Sequence, residues 1–76
     1  MNGTELIKLA PGGRRYIDVD RHAFRRIAEA IDSLTPIEET SSTHWWEDVY
    51  DVNGELYAVG GPHGEDVHSI QRIVFF

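Results

Sequence analysis

Apolar positions recur with two periods along this chain, and the change of period marks its elements. Phe24, Ile27, Ala28, Ile31 and Leu34 fall at i, i+3, i+4, i+7 and i+10. That spacing draws a single apolar stripe and predicts a helix over 20–34. Asp20 stands before the stripe as an N-cap, its carboxylate able to accept from the free N–H groups of the first turn. Pro36 ends the helix, because the residue before a proline is pushed out of the α region.

Elsewhere the chain reads as β. Residues 5–9 (Glu-Leu-Ile-Lys-Leu) and 15–19 (Arg-Tyr-Ile-Asp-Val) are short β-prone runs on either side of Pro11-Gly12-Gly13, a reversal signal, and are expected to form a first hairpin. Asn53-Gly54 is the stronger signal, since both residues tolerate the positive φ of a type I′ turn. It joins a strand at about 44–52 to one at about 55–60. Residues 60–64 read as a loop, 67–75 as a final strand, and 35–43 as a long polar connection. The expected architecture is a single compact α+β domain over 1–76. It is a small antiparallel β-sheet with one α-helix packed on one face, in the order ββαβββ.

The Asn-Gly turn also sets the register. Val52 should face Glu55, Tyr50 should face Tyr57, and Asp48 should face Val59. One face then carries Trp46, Asp48, Tyr50, Val52, Glu55, Tyr57 and Val59, and the other Trp45, Glu47, Val49, Asp51, Leu56 and Ala58. Val49, Leu56 and Ala58 are compact and apolar, so this face is expected beneath the helix. The tyrosine face, with amphipathic rings among carboxylates, is expected to meet solvent. The converse, with the aromatics in the core, is the alternative.

Composition narrows the function. The chain has no cysteine, which removes disulfide scaffolding, thiol catalysis and cysteine-ligated zinc. Its longest apolar run, Ile73 to Phe76, is far short of a membrane span. The N-terminus lacks a basic and then apolar leader, so no signal peptide is expected and the location is expected to be cytoplasmic. No nucleotide-binding, hydrolase or metalloprotease motif occurs, so no catalytic residue, cofactor or metal is assigned and no enzyme is expected. His63 and His68, with Glu65 and Asp66 between them, form the alternative, a His/carboxylate metal-binding protein.

Charge gives the picture its direction. Residues 1–28 carry six basic side chains against three acids, a local +3; from Glu29 onward Arg72 faces ten acids, a local −9, and the whole chain carries −6. So negative a field attracts basic partners and repels polyanions. The expected function is a small acidic protein-binding module that occupies a basic surface on a partner protein. In the class of anti-restriction, anti-CRISPR, immunity or antitoxin proteins, it would inhibit nucleic-acid-handling machinery. Its expected contacts are the carboxylates Glu47, Asp48, Asp51 and Glu55, with Trp46, Tyr50 and Tyr57 as anchors. The competing reading is a nucleic-acid-binding protein using Arg14, Arg15, Arg21, Arg25 and Arg26. Should the C-terminal strand lie at a sheet edge, a homodimer through it is a further expectation.

Overall fold

The computed structural model of the chain describes residues 13–75. Among these, strand β1 (Arg14–Asp18) leads into helix α1 (Arg21–Ala30) and a single 3₁₀ turn (Ile31–Ser33). Four strands follow: β2 (Glu38–Ser41), β3 (Trp45–Val52), β4 (Glu55–Pro62) and β5 (Ser69–Phe75). All pairings are antiparallel, and the spatial order is β1-β5-β4-β3-β2. Among the described residues the fold is therefore α+β, with one five-stranded sheet and one α-helix. The expected order changes in two places. The run at 5–9 lies outside the described residues. The polar connection at 35–43, expected to be a loop, contains β2, so the described order is βαββββ.

The helix forms where the stripe predicts it and stops early. Asp20 caps it, its Oδ1 accepting from Ala23 N–H at 2.8 Å. The last turn tightens to 3₁₀, with Leu34 N–H donating to the Ile31 carbonyl at 3.1 Å. Leu34 is already extended and lies exposed, so the stripe ends at Ile31 and not at Leu34. The requirement of Pro36 for an extended predecessor works against any longer helix.

The Asn-Gly hairpin has the register expected of it. Val52 faces Glu55, Tyr50 faces Tyr57 and Asp48 faces Val59. Asn53 and Gly54 hold φ values of 54° and 87°, the positive pair that a type I′ turn requires. The placement of its two faces is the reverse of the expected one. Ile27 and Ile31 of the helix segment pack with Val52, Tyr57, Val59 and Ile70, and Phe24, Trp46 and Tyr50 join this cluster from its margin. Val49, Leu56, Ala58 and Ile73 form a second cluster on the opposite face, with Ile37 and Phe75 against it. The reason lies in the position of β4. It is the central strand and is buried continuously from Leu56 to Gly61, so neither face is left for solvent. Of two apolar faces, the one with the larger rings removes more area from water when the helix covers it.

The C-terminal strand is interior. β5 pairs with β1 on one side and β4 on the other, so a homodimer through that strand has no open edge to use. The outer strands of the described sheet are β1 and β2. Laid flat, five strands would separate these two by roughly 19 Å, more than an arginine and a glutamate can span. Yet Arg14 on β1 and Glu38 on β2 form a bidentate pair, both N–H···O distances 2.9 Å. The sheet is therefore curled, and its rims are tied across the second cluster.

This tie has a pH signature. The hydrogen bonds from Arg14 hold the Glu38 carboxyl below its ordinary value. A carboxylate whose pKa is lowered by folding contributes stability that is complete above the unfolded value and lost as pH falls through the folded one. We expect wild type to exceed Glu38→Gln by about 1–2 kcal/mol at pH 7. That excess should fade below about pH 4.5, the ordinary glutamate value. Melting temperatures of both proteins between pH 7 and 3 test this, and a pH-independent difference would show that the pair contributes only by packing.

Candidate protein-binding site

Trp45 and Trp46 are neighbours in β3, so their side chains leave opposite faces of the sheet. Both lie against the glycine pair of β4. A Cβ at Gly60 would sit 2.5 Å from Trp45 Nε1 and 2.8 Å from the Trp46 carbonyl oxygen, and one at Gly61 2.6 Å from the Asp66 carbonyl oxygen. Only glycine admits such an approach. Trp46 is then fixed by its indole N–H, which donates to the carbonyls of Pro62 at 3.0 Å and Glu65 at 3.3 Å. Gly60-Gly61, expected to open a loop, thus extends β4 and seats two tryptophans. One indole lies on each side of the sheet close to the β2 rim.

The same rim gathers carboxylates. β2 pairs with β3 so that Glu39 stands directly opposite Asp48, and Thr40 opposite Glu47. Glu39 and Asp48 share the helix side of the sheet with Trp46. Together with Thr40 and Ser41 they line an open groove of about 370 Å³. On the far side, Glu47 and Trp45 line a second groove of about 220 Å³ with Thr40, Ser41 and Ser42. Like charges directly opposite on paired strands repel. Burial, and then the charge of Glu39, push the Asp48 carboxyl above its ordinary value. Burial and the charges of Asp48, Glu39 and Asp32 do the same to the Tyr50 phenol. Among the described residues no cation lies within ion-pairing distance of Glu39 or Asp48.

The seven residues expected as contacts divide between two roles. Trp46, Glu47, Asp48 and Tyr50 are half-buried at or next to this rim. Tyr57 is 3% exposed and belongs to the core beneath the helix, so it is not a surface anchor. Its hydroxyl donates to the Glu55 carboxylate, which also lies 3.6 Å from Arg72. Those partners hold the Glu55 carboxyl below its ordinary value, the Tyr57 hydrogen bond first. Asp51 closes the hairpin turn, its Oδ1 accepting from Gly54 N–H at 2.8 Å. Glu55 and Asp51 are therefore employed within the fold. Sequence reasoning missed Glu39, because a residue in a presumed loop has no face. Thr40, the one β-branched residue of Glu-Glu-Thr-Ser, was the faint signal that a short strand ran there.

Of the competing constellations, Arg21 and Arg25 line one small cavity with His22, and other members make contacts within the fold. Arg14 is committed to Glu38, and Arg26 reaches toward Tyr57 and Glu55. Arg14 and Arg26, both part of the nucleic-acid reading, are thus occupied internally, and Arg15 also has a partner. His63 Nε2 lies 2.7 Å from the Ser42 carbonyl, an acceptor, so this nitrogen carries the proton and donates. His68 instead faces Glu65 at 3.5 Å. Among the described residues no group of three or more histidines and carboxylates is placed to hold a metal ion. No helix among them is long and apolar enough to cross a membrane. No family model, curated protein or solved structure matches the chain.

Proposed function

We propose that this protein works by binding another protein, with no chemistry of its own, and that it meets a basic surface of that partner through the β2–β3 rim. The observation that carries this reading is the opposition of Glu39 and Asp48 beside Trp46. Two carboxylates held face to face cost stability in the free protein, and an arginine or lysine between them relieves that cost. The adjacent indole face offers the same cation a second attraction. Glu47 and Trp45 repeat the combination on the far side of the rim. The net charge of −6 steers a basic partner toward it.

The class that fits a chain of this size and charge is the small cytoplasmic inhibitor of nucleic-acid-handling machinery. Its carboxylates stand where phosphates would sit. Anti-restriction and anti-CRISPR proteins, and immunity or antitoxin proteins, are the forms of that class to test first. Affinity capture from host lysate, with identification of captured proteins by mass spectrometry, tests the proposal. Wild type and Arg25→Ala/Arg26→Ala are expected to capture the same basic protein, in a manner weakened by salt. Glu39→Lys/Asp48→Lys is expected to lose it by at least about tenfold. Capture that survives the lysine pair, or affinity of wild type for bare DNA or RNA, would overturn the proposal.

A further inference from the structure

Beside the two grooves, the rim offers a row of backbone groups. β2 is an outer strand, and among the described residues nothing pairs with its far side. Ser42 N–H donates to the Trp45 carbonyl at 2.8 Å, which makes 42 and 45 a hydrogen-bonded pair. With the register Glu38↔Val49, Glu39↔Asp48, Thr40↔Glu47 and Ser41↔Trp46, alternate residues then turn inward. Glu38, Thr40 and Ser42 direct their amides and carbonyls to β3. Glu39 and Ser41 direct theirs outward, two donors and two acceptors at an edge that no described strand covers. Ile37 N–H also donates to Val49, the register partner of Glu38, so a bulge marks where this edge begins.

We infer that an extended basic segment of the partner adds to this edge as a sixth strand, and that adjacent cationic side chains of that segment enter the two grooves. The inference rests on the proposed binding of a basic protein and specifies how it is achieved. A residue opposite Glu39 projects on the helix side, beside Glu39, Asp48 and Trp46. Its neighbour, opposite Thr40, projects on the far side, beside Glu47 and Trp45. Backbone pairing supplies the affinity of such strand addition, and the alternating pockets supply its specificity. Each pocket here combines carboxylate with indole, so each selects arginine or lysine. A second copy of this chain is the poorer occupant. Its own β2 would bring Glu38 and Glu39 against the same residues, charge against like charge.

The probe is a blocked synthetic hexapeptide, Thr-Val-Arg-Lys-Val-Thr, titrated to millimolar concentration into the isotope-labelled full chain and followed by NMR. Binding is expected to shift the amides of Glu39 and Ser41 and slow their hydrogen exchange. The same peptide N-methylated at alternate backbone nitrogens keeps its charge and should bind at least about tenfold more weakly. On the protein, Ser41→Pro removes one outward donor and no carboxylate, a change edge strands tolerate. It should keep the melting temperature and lose the peptide.

Equal binding of the N-methylated peptide overturns strand addition while leaving charge-driven binding intact; if Ser41→Pro does not fold, this comparison decides alone. Protection of Glu39 and Ser41 amides that persists undiminished in Glu39→Gln/Asp48→Asn supports strand addition and removes the charge reading. No perturbation by the peptide, or a concentration-dependent dimer formed through the same amides, overturns the inference.

Discussion

Replacing Tyr57 with alanine is expected to cost about 3–5 kcal/mol, the range for deleting a buried aromatic ring. A domain of 76 residues has a stability on the order of 4–11 kcal/mol, so the variant should be largely unfolded or close to it. The ring is 3% exposed and packs with Ile27, Ile31, Val52, Val59 and Ile70. Tyr57→Phe is the control. It keeps the ring and loses only the hydroxyl's contacts with Glu55 and Arg26, both exposed residues, and should cost about 1 kcal/mol. Chemical denaturation of the three proteins reads both values. The result matters beyond stability, since it separates the two ways of packing the hairpin. If Tyr57 faced solvent, alanine would change stability by less than about 0.5 kcal/mol.

Ile27→Ala is expected to cost about 2–5 kcal/mol. Ile27 is fully buried and is the one buried side chain of α1, whose ten residues are too few to persist alone in water. Phe24, Ala28 and Ala30 pack only at the margin of the cluster and cannot replace it. The sign of the effect is informative. Alanine has the higher helix propensity, so at an exposed site the same substitution would be neutral or slightly stabilising. Urea denaturation measures the loss, and hydrogen exchange locates it. The amides of α1 should lose protection first, and those of β4, at the centre of the sheet, last. Equal protection of α1 in variant and wild type would show that the helix is not anchored through Ile27.

Much of the fold was legible because its signals are local. The N-cap at Asp20 and the stop before Pro36 need only the geometry of a few consecutive peptide units. So does the Asn53-Gly54 turn, and from it the whole β3–β4 register follows by counting. β2 was not legible, because Glu-Glu-Thr-Ser has little apolar alternation and becomes a strand by pairing with β3. Context overrides weak β preference in this way. With β2 unread, Glu39 had no partner, and the acidic rim could be seen only from its Asp48 side.

The sequence by itself determined which segments turn, where the helix begins, how β3 and β4 align, and that the chain carries a strongly acidic second part. The tertiary structure alone decided which hairpin face lies under the helix, which of the described strands are outermost, and that Arg14 meets Glu38 across the curled sheet. The division has a physical reason. Turns, caps and registers are fixed by covalent geometry within a few residues. The choice between two apolar faces is a difference between two burial free energies, and each of those depends on every element that packs against the sheet.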